Sequence, residues 1–215
     1  MKQTLLAALT ALSFITPSPA QSLEKGSMVL GLGSGLGIYH TVIKDKTTPS
    51  NSADKDTSGA FVFPLEFEYA LLNWLGAGAR LGYSNFIEGK KDSDVVSAKA
   101  RGIDFMPFVN LHFLRSKHVD MFVSCNFGYS DFKFTVTNTA GTIGTFTGSG
   151  TGYSVGFNTR FYFGDAAKFG IHVRYAREGF NYQNGEITDN QGSPPTKFSL
   201  KGNGGVFGLG LQYRI

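Results

Sequence analysis

Five charged residues occupy alternate positions in segments whose intervening positions are mostly apolar: Glu66, Glu68, Arg80, Arg160 and Arg174. Successive side chains of a β-strand point to opposite faces, so these charges are predicted to share the face opposite to the apolar residues. Enclosed carboxylates and guanidiniums must be paired, because an isolated enclosed charge loses its hydration without compensation. The set predicts either interlocked ion pairs that fill a closed interior, which we favour, or an ion path with a gate. A turn centred near residues 72–73 would make Glu66 and Arg80 neighbours, and we expect them to form an interior ion pair.

Two further positions, His112 and Asp120, flank a predicted short turn and could form a general acid–base pair. The sequence places no Ser or Cys nucleophile beside them, so a structural pair is favoured. The four His residues lack carboxylate partners at metal-ligand spacing, and no metal site is predicted. Cys125 falls on an apolar face and is expected to pack as a small hydrophobic residue.

The stretch GLGSGLG, residues 31–37, invites comparison with nucleotide-binding loops. Its glycines are spaced by two and do not match G-x-G-x-x-G, and no helix is predicted to follow them. A glycine-lined strand face in a crowded interior is favoured. The sequence therefore predicts neither a catalytic residue nor a bound cofactor.

The elements that must position these residues are runs in which apolar and small or polar residues alternate with period two, the pattern of β-strands. Eight such runs follow one another: 27–40, 59–70, 75–86, 102–113, 119–129, 152–163, 169–176 and 204–215. Pro64 and Pro107 fall inside two of them, and each removes a backbone donor from the sheet. We expect these prolines to mark bulges or register breaks.

The predicted connections alternate in length. Short turns are expected near residues 71–74, 114–118 and 164–168, and long polar loops near 41–58, 88–98, 131–150 and 178–199. This alternation leaves both ends of the strand series on the side of the short turns.

The sizes of the side chains on the two strand faces decide the fold class. Eight strands enclose a narrow lumen, which stripes of Phe, Leu and Tyr would overfill but Gly, Ser, Asn and a few charges would fit. The apolar faces are therefore predicted to meet lipid, and the strands to close on themselves because an open edge leaves backbone groups unpaired in hydrocarbon. We predict an all-β, eight-stranded, antiparallel, up-and-down transmembrane β-barrel, with a soluble lipocalin-like barrel as the alternative.

Aromatic residues near the strand ends fit the two interfaces of a membrane. The short-turn rim would carry Tyr69, Trp74, Phe113, Phe163, Phe169 and Tyr213, and the opposite rim Tyr83, Tyr129, Tyr153 and Tyr175.

The first twenty residues have a positive start, a short apolar core and small residues before Ala20, as in a cleaved signal peptide. Residues 21–215 would then form one barrel domain. The formal net charge of +4 comes from scattered Lys and Arg rather than a basic block, which argues against nucleic acid and suits anionic lipid head groups.

Together, residues 27–215 resemble the small outer-membrane β-barrels of the OmpA/OmpX-like, porin-like group. The ending GLGLQYRI is similar to the assembly signal that such barrels present to the insertion machinery, with Gly210, Tyr213 and Ile215 in place. Many members end in Phe, so Ile215 departs from the pattern. The resemblance implies an integral protein of a diderm outer membrane, a monomer in contact with lipid and lipopolysaccharide, with both termini periplasmic.

The long loops and the interior charges together indicate a function. We expect a structural or surface-interaction role through long extracellular loops that meet an unknown ligand, with a narrow lumen plugged by salt bridges; a small-solute pore is the alternative. Outer-membrane lipid A deacylases use a His and a Ser two positions apart together with a Glu. Here Ser84 and Glu88 are present but Gly82 replaces the His, so an envelope enzyme such as a deacylase is only the third alternative and no enzyme is predicted.

Overall fold

The computed structural model describes residues 23–46, 53–87, 95–192 and 194–215. The expected signal peptide, residues 1–20 with cleavage after Ala20, lies outside these ranges, as does Glu88. Within the described residues, no helix has the length and apolar character needed to cross a membrane.

Eight antiparallel strands close into a barrel in the order of the sequence, and β1 pairs with β8. This confirms the predicted fold class. A sheet in lipid must close, because a closed sheet has no strand edge with unpaired backbone groups. The strands are β1 Met28–Asp45, β2 Ala53–Leu72, β3 Leu75–Ile87, β4 Val95–Arg115, β5 Val119–Asn138, β6 Ile143–Phe163, β7 Phe169–Asp189 and β8 Thr196–Arg214.

Both ends of the strand series lie at the same end of the barrel, next to the three short turns. There Ile215 donates its backbone N–H to the carbonyl of Met28 at 2.9 Å, which completes the closing pair of strands. We call this the turn end and the opposite end the loop end. Leu23, fully buried, packs with Val29 and Ala70 across the turn end.

Three of the four segments expected to be long loops, 41–58, 131–150 and 178–199, are largely strand, and so is the described part of the fourth, 95–98, which corrects that prediction. Pairing of β1 with β2 continues to Lys44 and Ala53, and pairing of β5 with β6 continues to Thr137 and Ile143. The period-two pattern persists through these polar segments, so their backbone stays in the ladder. Most strands run 18–21 residues, about twice the ~10 residues that a tilted strand needs to cross a bilayer.

The two faces of the sheet differ as the alternation predicts. Large apolar side chains stand on the outer face, among them Leu32, Phe127 and Tyr175, which are 62%, 64% and 63% exposed. The charged and small residues of the same strands are buried in the lumen. This inside-out arrangement suits a sheet surrounded by hydrocarbon.

The two strand prolines interrupt the ladder but shift no register, which corrects part of the expectation. Pairing of β1 with β2 stops after Leu32–Leu65 and resumes at Gly35–Val62 in the same register, while Pro64 keeps its pairing with β3. Pro107 produces the same gap between β4 and β5. Each proline lacks the backbone N–H that would donate a hydrogen bond to the neighbouring strand, so the loss of pairing is confined to that position.

Candidate functional site

The lumen near the turn end contains a four-residue ion network built on Glu68. Arg160 donates to Glu68 at 2.5 Å, and His112 Nε2 lies 2.8 Å from the same carboxylate. On the other side of its ring, His112 Nδ1 lies 2.8 Å from Asp120, which also accepts from Arg160 at 3.3 Å. All four side chains are at most 2% exposed. The bonds form a closed ring in which both basic groups contact both carboxylates.

A second network lies further toward the loop end and is centred on Glu178. Its Oε1 accepts from Arg80 at 2.6 Å and from Arg174 at 2.8 Å, while Oε2 accepts from the Tyr39 hydroxyl at 3.0 Å. The other guanidinium nitrogen of Arg174 donates to Glu66 at 3.4 Å, so this network extends back toward the first.

Glu66 and Arg80 are cross-strand neighbours, as the turn position predicts, but they do not form the direct ion pair that was expected. The Arg80 guanidinium contacts Glu178, and Glu66 contacts Arg174 instead. Glu178 was missed because it falls within a segment assigned to a loop.

Several of these contacts cross the whole lumen. In a ring of eight strands, strands four places apart face each other across the barrel axis. Glu68 on β2 and Arg160 on β6 are such a pair, and so are Arg80 on β3 and Glu178 on β7. The two networks therefore bridge opposite walls at two levels.

Above the charges, toward the loop end, a layer of aromatic rings covers the second network. Tyr39 directs its hydroxyl to Glu178 and packs its ring against Phe86 and Phe180, at centroid distances of 5.8 and 5.9 Å. Tyr182 lies on the same level and stacks on Phe180 at 4.9 Å. The two tyrosines thus present hydroxyls to the polar side and rings to the apolar side.

The hydroxyl of Tyr182 is part of a short polar chain. It lies 2.6 Å from Ser130 Oγ, which donates to Asp104 at 2.5 Å. Gly202 makes room for the aromatic layer, since a Cβ at this position would collide with the ring of Phe180.

Beyond this layer the barrel interior opens into a cavity of about 570 Å³, which we call the loop-end cup. Its wall is mainly apolar and includes Phe86, Phe132, Phe134, Phe146, Phe180 and Leu200. Its rim carries two hydroxyl groups and one carboxylate, from Thr41, Ser58 and Asp56.

The cup exists because the polarity of the two strand faces is exchanged near the loop-end tyrosines. Along β5 the outer face reads Phe127 and Tyr129, then Asp131, Lys133, Thr135 and Thr137. The inner face reads Asn126 and Ser130, then Phe132, Phe134 and Val136. The first part is typical of a barrel in lipid, and the second of a barrel in water, where the apolar face turns inward.

A β-bulge completes the wall. Between Tyr182 and Gly185, β7 gains one residue relative to β8, so the register shifts there. Bulges redirect the side chains that follow them. Ile187, an odd-numbered residue on a strand whose even positions face inward below the bulge, consequently lines the cup.

The sequence matches the outer membrane protein beta-barrel domain over residues 4–214, nearly its whole length. The chain belongs to this family. The match establishes an integral outer-membrane β-barrel protein, in agreement with the resemblance seen in the sequence. No curated protein sequence matches the chain.

Solved structures share the fold of this outer-membrane barrel at low identity. The solid-state NMR structure of AlkL in DMPC bilayers is 14% identical, with a TM-score of 0.54 over 93% of this chain and 95% of AlkL. OprG from Pseudomonas aeruginosa is 11% identical, with a TM-score of 0.54 over 90% and 98%. The protease OmpT from Escherichia coli is 13% identical, with a TM-score of 0.53 over 94% and 99%. Such likeness establishes the fold alone.

The residues of the expected assembly signal lie on the closing strand of the outer-membrane barrel. Tyr213 pairs with Leu30 on one side and Phe169 on the other, and its ring is 46% exposed on the outer face. Gly210 pairs with Gly33 and His172, and Ile215 bonds to Met28. These contacts give the segment a direct part in closure; its recognition by the insertion machinery stays a prediction.

The two other candidate residues that the structure describes lie on opposite faces of the barrel wall. Ser84 is buried on the lumen side, and Cys125 is exposed on the outer face among apolar neighbours. In the part of the chain that the structure describes, no three His, Cys, Asp or Glu side chains are grouped so that they could hold a metal ion.

Proposed function

We propose that this outer-membrane barrel is closed to solutes and acts at its loop end, in a structural or surface-interaction role. The observation that carries the proposal is the pair of ion networks that bridge opposite walls of the lumen. Glu68–Arg160 and Arg80–Glu178 each join strands that face each other across the barrel. A solute would have to separate both pairs to pass.

The cost of opening supports this interpretation. Separating a buried ion pair leaves two uncompensated charges. Removing one partner of such a pair, which leaves one such charge, destabilises a protein by about 3–5 kcal/mol. Each network has several members, so opening the lumen requires more than one such separation. A pore for small solutes, the alternative function, needs a continuous water path that these contacts oppose.

We further propose that the turn end faces the periplasm and the loop end faces the exterior. The strands extend beyond the loop-end tyrosines but hardly beyond the aromatic residues of the turn end, so the larger extramembrane part belongs to the loop end. Outer-membrane barrels have short periplasmic turns and longer extracellular connections. Surface interaction would then use the part of the barrel that lies beyond the loop-end tyrosines.

A non-catalytic role is part of the proposal. The likeness to the OmpT protease is confined to the fold, at 13% identity. The buried His112 contacts Glu68 and Asp120 and is covered by neighbouring side chains, so no substrate group can approach it within the described structure. A structural pair explains its surroundings better than acid–base chemistry.

Ion conductance of the purified protein in a planar lipid bilayer tests the closed lumen. The wild type should show little conductance. A double variant, Glu68→Ala with Arg160→Ala, removes both charges of one bridge and should show brief openings; adding Arg80→Ala and Glu178→Ala should give a steady current. Arg101→Ala, on the exposed outer face of β4, is the matched control and should behave as the wild type. A large, steady current through the wild type would instead favour the pore.

A further inference from the structure

We propose that the loop-end cup is a binding site for the hydrocarbon body of one uncharged hydrophobic molecule, which enters from the loop end. This inference deepens the proposed function and rests on it, because a barrel closed beneath the cup holds such a molecule rather than passing it. The ligand class follows from the size, wall, floor and rim of the cup.

The size of the cup indicates a ligand rather than a packing defect. Protein interiors are close-packed and contain few voids larger than a water molecule. The cup measures about 570 Å³, within the range of about 300–1,000 Å³ typical of small-molecule sites. Its walls are held in place by ring packing, as in the edge-to-face contacts of Phe132 with Phe86 at 5.3 Å and with Phe146 at 5.5 Å.

The wall defines the chemistry of the bound part. Phe132, Phe146, Phe180 and Leu200 are each at most 9% exposed, yet all four border the cavity. Water in contact with such a wall finds few hydrogen-bond partners, so its replacement by hydrocarbon is favourable. An alkyl chain or an aromatic ring matches this surface.

The floor and the rim limit the rest of the molecule. Beneath the floor, the hydroxyls of Tyr39 and Tyr182 are already bonded to Glu178 and Ser130, and the aromatic layer borders the cup through Phe86 and Phe180. At the rim, Thr41 and Asp56 are joined by a hydrogen bond from the Thr41 hydroxyl to the Asp56 carbonyl. The Asp56 carboxylate would repel an anionic head group, whereas the neighbouring hydroxyls suit an alcohol, amide or similar neutral end.

Two sources of hydrocarbon share this chemistry, a free hydrophobic molecule and the acyl chain of a lipid. They are distinguished with a tryptophan reporter in the cup. The chain has one tryptophan, Trp74, at the turn end. In a Trp74→Phe background, Phe134→Trp places the reporter in the cup wall, and Phe127→Trp places a matched reporter on the outer face, where Phe127 is 64% exposed.

The probe is 11-bromoundecan-1-ol, whose bromine quenches tryptophan on contact, added to the protein in phosphatidylcholine nanodiscs. The cup reporter should be quenched in a saturable manner at about one molecule per protein. The outer reporter should be quenched in proportion to the alcohol dissolved in the lipid. Equal, unsaturable quenching of both reporters would overturn the proposal.

Cup-filling variants test whether the cavity itself binds the probe. Ala100→Phe and, separately, Ala98→Phe add a ring inside the cup and should weaken saturable quenching at least tenfold. Ile103→Phe adds a ring to the outer face of the same strand and should leave it unchanged. Undiminished quenching in either folded cup-filling variant would contradict the proposal.

Nanodiscs of brominated phosphatidylcholine without the alcohol identify the source. Quenching of the cup reporter by these lipids assigns the site to an acyl chain, and its absence together with quenching by the alcohol assigns it to a free molecule. Bilayer conductance of the same preparations separates the two proposals. Loss of saturable binding with low conductance would reject the cup alone, and a large steady current would reject the closed barrel.

Discussion

The barrel has two parts that use the same eight strands with opposite polarity. We call the part between the two aromatic rims the membrane part and the part beyond the loop-end rim the extension. Between the rims, Phe, Leu and Tyr face outward and ion networks fill the lumen. Beyond the loop-end rim, Lys, Arg, Asp and Thr face outward and Phe and Leu face inward. Alternation of apolar and polar residues therefore indicates that the two faces of a strand meet different environments. Which environment lies outside is indicated only by the residue types on each face.

The two parts are also stabilised differently. In the membrane part, the interior depends on charges that are tolerable only while paired, so single changes there should be severe. In the extension, the interior depends on apolar burial and ring packing, as in a soluble barrel, and the outer face tolerates charge. The first part forms a plug, and the second encloses a cavity.

Deleting Tyr213–Ile215 should have the largest effect, because it shortens the strand that closes the membrane part. The pairing of β8 with β1 and β7 at Tyr213 and the bonds between Ile215 and Met28 would be lost. We expect little folded protein in the membrane, measured by heat-modifiable mobility and membrane recovery. A three-residue deletion in the loop-end turn at 139–142 is the control and should insert; normal insertion of the truncated chain would contradict a role in closure.

Arg80→Ala should be the most destabilising single change to the interior. It leaves Glu178 with Arg174 and the Tyr39 hydroxyl and removes a bridge between opposite walls, at about 3–5 kcal/mol. Arg101→Ala, which removes the same side chain from the outer face of the extension, should change the free energy of unfolding by less than about 1 kcal/mol. Urea unfolding in lipid vesicles measures both, and equal stabilities would refute the plug.

Leu209→Arg should be costly for the opposite reason, since it places a charge on the lipid side. Leu209 is 53% exposed on the outer face, and Arg at such a position costs about 2–4 kcal/mol near the membrane midplane. Thr137→Arg lies on the outer face of β5 in the extension, paired with the uncharged Ser97 and Ile143, and its cost should be close to zero. If both substitutions were equally harmful, the boundary between the two parts would be misplaced.

Protease applied to intact cells should have a small effect, restricted to the loop end. Cleavage is expected in the links between the strands of the extension, at 46–52, 88–94, 139–142 and 190–195, whereas the turns near 73, 117 and 166 should be protected. Mass spectrometry of the fragments identifies the cut sites. Cleavage at the short turns alone would reverse the orientation.

Much of the membrane part could be predicted from the sequence, because the size and the polarity of the side chains on each strand face lead to the same assignment there. Eight stripes of wide side chains cannot fit a narrow lumen, which determined which face meets lipid. The turn position also gave the register of Glu66 against Arg80. The partner of Arg80 could not be predicted in this way, because it comes from the opposite wall and depends on how β7 lies across the barrel.

The extension was missed because its residues are polar overall and were assigned to loops. The signal was nevertheless present in the run Asp131–Asn138, where Phe132, Phe134 and Val136 alternate with Asp, Lys and Thr. That run keeps the period of a strand and exchanges its faces. The cup also depends on the bulge at β7, which no alternation pattern specifies.

The exchange of faces can be tested directly by nitroxide scanning of β5. In a Cys125→Ser background, single cysteines from 127 to 137 are spin-labelled, and the protein is placed in lipid vesicles. Labels at 127 and 129 should be accessible to oxygen dissolved in the bilayer. Labels at 131, 133 and 135 should be accessible to a water-soluble nickel complex, and those at 132, 134 and 136 should be less accessible to it than their neighbours. Loss of the two-residue period after 130 would show a loop, and oxygen access at odd positions up to 137 would show a longer membrane span; either result would contradict a barrel whose faces exchange polarity at the membrane surface.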